Sequence, residues 1–188
     1  ANQGQSAGKK FVLTGAVEAL TLTSGNDTID GGLANSVSGD VIIDASATDN
    51  DVATLKLTQT PARPTISQVE RLDVAFEGFN IALDVSAIIG ATIKVSSTTD
   101  SQNKAKLTNL GNQAVNVEIG TGITHLALDS AVNQVGSSTV QLAGGELTLS
   151  AAANQLATLG LNSSGSGANT VYLTHNPNVL NVTGAQNL

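Results

Sequence analysis

Val69-Glu70-Arg71-Leu72-Asp73-Val74, then Ile81-Ala82-Leu83-Asp84-Val85, then Thr92-Ile93-Lys94-Val95, is the stretch that decides the fold. Each string alternates apolar and polar residues over a few positions and is bounded by Gly, Asn, Ser or Asp. That is the pattern of a half-buried strand with a turn at either end. The same kind of string recurs at Ala114-Val115-Asn116-Val117-Glu118-Ile119, His125-Leu126-Ala127-Leu128, Thr139-Val140-Gln141-Leu142, Glu146-Leu147-Thr148-Leu149, Thr170-Val171-Tyr172-Leu173 and Val179-Leu180-Asn181-Val182.

The spacing of the strings carries the argument from strands to architecture. One inward series runs Leu72, Ile93, Val117, Val140, Leu159 and Leu180, about 19–24 residues apart, and a second runs Leu83, Leu107, Leu126, Leu147 and Val171. Two strands per repeat of that length predict an all-β chain wound as a parallel β-solenoid, of the β-helix or β-roll kind. An antiparallel β-sandwich, with strands roughly 10–12 residues apart, is the alternative. One stretch departs from the pattern: Ser150 to Leu159 reads as a short helix with Ser150 as N-cap and Gly160 at its end.

Composition agrees with a thin stacked core. Aromatic residues are 2% of the chain (three Phe and one Tyr, no Trp), whereas hydrophobic residues are 40%. Without rings that each bury roughly 150–250 Å², the interior must be built from Val, Ile, Leu and Ala in layers. Residues 1–10 lack periodicity and read as a disordered lead-in. The chain opens on Ala1 without an initiator Met and is expected to be a segment of a longer product. Residues 11–60 form an acidic β segment, Thr60-Pro61-Ala62-Arg63-Pro64 reads as a boundary loop, and 61–188 carry the solenoid repeats.

Charge narrows the partners. The net charge is −7, and the eight Lys and Arg residues form no run longer than Lys9-Lys10, so nucleic acid is not expected. There is no cysteine, which excludes disulfides and thiolate metal sites. No run of about 18 apolar residues occurs, so no membrane insertion is predicted.

The acidic residues point instead to a cation. Seven of the 15 Asp and Glu lie between Glu18 and Asp51. Within that segment, Gly25-Asn26-Asp27-Thr28-Ile29-Asp30-Gly31-Gly32 partly matches the G-G-x-G-x-D-x-U-x nonapeptide of calcium-binding β-rolls. Gly25, Asp27 and Ile29 take the second G, D and U places, while Leu22 and Thr23 stand where the opening Gly pair belongs. Calcium takes six to eight oxygen ligands, so one nonapeptide is half a site. The candidate ligands are Gly25, Asn26, Asp27, Asp30, Asp40, Asp44, Asp49 and Asp51. A turn-rich acidic loop that binds nothing tightly is the other reading of the same residues.

The order of motifs also resembles that of repeat-toxin (RTX)-related bacterial S-layer proteins. Phe11-Val12-Leu13-Thr14 and Gly25-Asn26-Asp27-Thr28-Ile29 are similar to that family's opening. Ile66-Ser67-Gln68-Val69-Glu70-Arg71-Leu72-Asp73-Val74, Leu83-Asp84-Val85-Ser86 and Gly90-Ala91-Thr92-Ile93-Lys94-Val95 follow in the family's order, so that the resemblance covers residues 11–182. It implies a calcium-stabilised structural protein of the bacterial cell surface, secreted by a type I system and self-associating with copies or other segments of the parent. An adhesin or carbohydrate-binding segment that holds cell-surface polysaccharide is the alternative. Catalysis is not expected: His125 and His175 are the only histidines, and no nucleophile elbow, P-loop or H-E-x-x-H occurs.

Overall fold

The computed structural model describes residues 7–32, 37–46, 48–60, 62–78, 80–98, 104–111, 114–131, 136–151, 156–164 and 167–188, and among them the chain is a parallel β-solenoid without a helix. One strand per turn builds a nine-stranded sheet. It holds β1 (Lys10–Val12), β3 (Thr28–Gly31), β5 (Val52–Leu57), β7 (Arg71–Phe76), β10 (Thr92–Ser96), β12 (Ala114–Ile119), β14 (Gly136–Leu142), β16 (Leu156–Ser163) and β18 (Val179–Gly184), in that spatial order. Every ladder in it is parallel, which excludes the antiparallel sandwich.

Two shorter sheets close the coil. Early turns return through β2 (Ala19–Thr21), β4 (Val41–Ile43), β6 (Thr65–Ser67) and β9 (Ile88–Ile89); later turns return through β11 (Lys104–Leu110), β13 (His125–Ser130), β15 (Gly145–Ala151) and β17 (Asn169–Leu173). The turn that begins with β7 visits all three sheets, because β8 (Leu83–Asp84) pairs with β11 before the chain reaches β9. The coil therefore passes from short strands on the early return face to long strands on the later one. At that transition β11 carries a register irregularity between Leu107 and Leu110. Asn109 sits there with φ of 59°, a conformation Asn tolerates better than most residues. Its amide donates to Asp84 Oδ2 at 2.7 Å.

Alternation places every second side chain inside. Leu72, Ile93, Val117 and Val140 stack in register along the nine-stranded sheet, as the spacing predicted. The next partners are Leu161 and Val182 rather than Leu159 and Leu180. In the five-stranded sheet Leu107 meets Leu128, and Leu126 meets Leu149. Each difference is two residues, so the face is right and the register is not.

Three further expectations are resolved in detail. The predicted helix from Ser150 is not formed: Ser150 and Ala151 end β15, and Leu156–Ser163 is β16, with residues 152–155 outside the described part. Stacking on a neighbouring strand outweighs the helix propensity of an Ala-rich stretch, which is a weak local preference. Residues 1–6 of the lead-in lie outside the description, and Lys10 already belongs to β1. Across the proline-containing loop β5 pairs with β7 over six residues, Val52 to Leu57 against Arg71 to Phe76.

Gly31, inside the stretch that partly matches the nonapeptide, has a packing role. It ends β3 opposite Leu55, and a Cβ there would lie 2.9 Å from both Leu55 Cδ2 and the Thr54 carbonyl oxygen. Overpacking a close-packed core costs about 1–3 kcal/mol. Gly31→Val should therefore lower the free energy of urea unfolding by that amount, whereas an unchanged midpoint would mean that the column has room.

Candidate metal centre

The coil stacks corner on corner, and its acidic residues stack with it. Asp27, Asp51 and Glu70 each immediately precede a strand of the nine-stranded sheet, on successive turns. Each carboxylate reaches back to a backbone N–H one turn earlier. Lys9 N donates to Asp27 Oδ1 at 2.5 Å, Asp27 N to Asp51 Oδ1 at 2.7 Å, and Asp51 N to Glu70 Oε2 at 2.8 Å. Beside this column, Asn50 N donates to Asn26 Oδ1 at 3.1 Å. The twin Asn-Asp pairs at 26–27 and 50–51 are thus equivalent corners.

Asp27 is saturated by this arrangement. Its carboxylate also accepts the Thr23 N–H at 2.5 Å and the Thr23 hydroxyl at 2.9 Å. Burial pushes its pKa up, but the Thr23 and Lys9 donors outweigh that and hold it below the ordinary value.

Asp51 is only half satisfied, and the loop leading to it brings two more carboxylates in. β4 and β5 are joined by residues 44–51, a longer connection than residues 68–70 between β6 and β7 one turn on. Asp44 opens the loop, anchored by donation from its N to Ser67 O at 3.1 Å. Ser46 N folds back to Asp44 Oδ2 at 2.6 Å. Gln68, with its amide oriented to donate, reaches the carbonyl oxygens of Asp44 and Ser46 at 3.0 Å each.

Asp44, Asp49 and Asp51 are thereby brought together, with one carboxylate oxygen from each within 4.8 Å of the others. All three side chains are buried, at 2%, 4% and 0% exposure. Among the described residues, Asp44 Oδ1, both oxygens of Asp49 and Asp51 Oδ2 have no hydrogen-bond partner. Buried polar atoms are ordinarily paired, and like charges at this distance in a desolvated corner repel. Burial, with the charges of Asp49, Asp44 and Asp27 adding to it against the Asp27 N–H, pushes the Asp51 pKa up to about 6. The donor set consists of hard anionic oxygens only, which fits a hard divalent cation such as calcium.

The other sequence candidates stand elsewhere. Asp30 lies on β3 outside this group, 3.1 Å from Lys10 Nζ and accepting the Gly32 N–H. Asp40 sits before β4 at the opposite corner, where it accepts the Glu18 N–H at 3.0 Å. Burial and the adjacent Glu18 charge raise its pKa against that hydrogen bond. Glu18 Oε2 is also buried, with no hydrogen-bond partner among the described residues. Gly25 N donates to the Thr23 hydroxyl, and the Asn26 carbonyl serves the Asn ladder. Glu18 and Glu70 were not among the candidates; the signal for Glu70 was its place immediately before a strand, the place Asp27 and Asp51 share. Compared with family models, curated proteins and solved structures, the chain matches none.

The raised carboxyls set the pH response of the cation-free protein. A carboxyl whose folded pKa lies above its unfolded value, near 3.8, stabilises the fold fully below the unfolded pKa. That contribution is lost as pH rises through the folded one. In chelator the thermal midpoint should therefore rise as pH falls from about 7.5 to about 5. Below about pH 4 it should fall, as the depressed carboxylates of Asp27 and Asp84 become protonated. A chelated midpoint that is flat or falls between about pH 7.5 and 5 would show that Asp51 ionises without penalty.

Proposed function

We propose that this chain is a calcium-clamped structural segment of a bacterial cell-surface protein of the S-layer type, secreted and folded outside the cell. The observation that carries the reading is the buried group Asp44, Asp49 and Asp51 with its four unpartnered oxygens. A fold that leaves them so in the absence of a cation is weakened by its own charge, and one that binds a divalent cation there is tied across the β4–β5 connection. Extracellular calcium sites have dissociation constants of about 10⁻⁴–10⁻³ M. A site of that strength fills outside the cell and stays empty inside it, so the clamp closes only after export. The order of motifs, which resembles that of RTX-related surface proteins, supports the same setting.

The test is a thermal melt in calcium and in chelator, on the wild type and two variants. Calcium should raise the wild-type midpoint by several degrees. Asp49→Asn should abolish that gain, and in chelator it should melt above the wild type because one repelling charge is gone. Asp27→Ala should lower the midpoint in both conditions, since its carboxylate holds backbone donors. A wild type indifferent to calcium, magnesium and manganese would leave the acidic loop without a ligand and remove the basis of the reading.

Self-association has its own support at β18. Leu180 and Val182 pair in register with the buried Leu159 and Leu161, and among the described residues no strand pairs with their other side, where they are 45% and 50% exposed. Such a row is a template for another strand, supplied by a copy or another segment of the parent protein. Sedimentation in calcium should show concentration-dependent assembly that Leu180→Lys with Val182→Lys abolishes. A wild type that stays monomeric at all concentrations argues for a rod that does not assemble through this edge.

A further inference from the structure

The outer face of the five-stranded sheet carries a second and chemically opposite feature. Above β11, β13 and β15 runs a groove of about 480 Å³, bounded on one side by the connection that holds Gly78, Asn80 and Ile81. Its size falls in the range of small-molecule sites, roughly 300–1,000 Å³. In a chain with almost two acids per base, no acid among the described residues lines it; Lys104, Lys106 and His125 do, with the hydroxyls of Thr148, Ser150 and Thr174.

Register makes this a row rather than a scatter. Lys104 is opposite His125, His125 opposite Thr148, and Thr148 opposite Tyr172. Strands are roughly 4.8 Å apart, so the row presents a cation, an imidazole, a hydroxyl and a phenol at even intervals. Tyr172, the chain's only tyrosine, is 53% exposed at its end. Lys106 is held by Asp129 at 2.8 Å, whereas among the described residues Lys104 has no ion-pair partner. His125 Nδ1 lies 2.9 Å from the Thr124 hydroxyl, which leaves Nε2 for a ligand. The floor is of small apolar residues, Ala82 and Ala127 among them.

We infer that this groove binds an acidic saccharide. A sugar ring bearing a carboxylate offers a negative charge for Lys104 and His125, hydroxyls for the Thr and Ser side chains, and an apolar ring face for Tyr172 and the alanine floor. Charge-assisted hydrogen bonds are the strong ones in such a site. A neutral sugar leaves Lys104 unpaired, and a bare phosphate leaves the hydroxyl row and the phenol unused. The inference goes beyond the structural role and is independent of the calcium clamp, which lies on other turns of the coil.

A galacturonate trisaccharide, too short to gel with calcium, is the probe. The single tyrosine gives a direct reporter, since its emission should change on binding. Titration of the folded protein, in calcium and followed in parallel by calorimetry, should show saturable binding. Lys104→Ala with His125→Ala should weaken it about tenfold or more without shifting the thermal midpoint. Tyr172→Ala should weaken it more modestly by calorimetry, and maltotriose should bind at least about tenfold less tightly than the uronate. No saturable binding would overturn the proposal. So would equal affinity in the double variant, equal affinity for maltotriose, or displacement by inorganic phosphate at equal concentration.

Discussion

Everything in this molecule depends on the parallel backbone ladder of the nine-stranded sheet, which runs from Lys10 to Gly184. A parallel strand must be followed by a crossover that brings the chain back one spacing away, in the same direction. Repetition of that step dictates the remainder. Inward residues meet inward residues of the same kind, and corners lie over corners. Whatever charge a corner bears, the next corner must accommodate at the distance between adjacent strands. Apolar columns gain from this repetition, since Leu72 over Ala53 and Ile93 over Leu72 are all buried. Acidic columns do not, and the backbone N–H groups donated to Asp27, Asp51 and Glu70 are what makes such a column tolerable.

How far the fold is legible follows from which interactions are periodic. Alternation within a strand is local, so the inward face of every repeat was readable, whereas the choice between coil and sandwich is made by the parallel ladders of the folded chain. Register is a different matter. A slip of two residues preserves the alternation, so Leu159 and Leu161 are equally good partners for Val140 on pattern alone. In the folded chain Val140 pairs with Leu161, in a ladder that carries an irregularity between Gly136 and Ser137. The helix expected after Ser150 failed for a related reason. A run of Ala and Leu has a preference in isolation, and that preference is small beside a ladder already waiting on the neighbouring turn.

The candidate metal centre was legible in part. Density of aspartate marked the segment in which three carboxylates converge, and Asp44, Asp49 and Asp51 were among the residues named. The nonapeptide pointed a little upstream, to a corner where Asp27 is occupied with backbone donors and Gly31 with core packing. What separates the two corners is not residue type, since both carry Asn-Asp before a strand. The separation comes from the length of the connection that precedes each pair. Residues 44–51 have enough chain to turn two extra carboxylates inward, and only the folded path of that loop shows it. The groove on the later return face was beyond reach for the same reason: Lys104, His125, Thr148 and Tyr172 lie on four different turns.

The stacking of turns has a mechanical side. In a stacked coil each turn touches only its neighbours, so stability is close to a sum of rung and interface contributions. A pull along the axis would therefore peel turns one after another. The aspartate loop lies between the second and third passes of the long sheet, and a filled cation site there would act as a stop, so the coil would yield in steps under load while keeping its clamped turns wound.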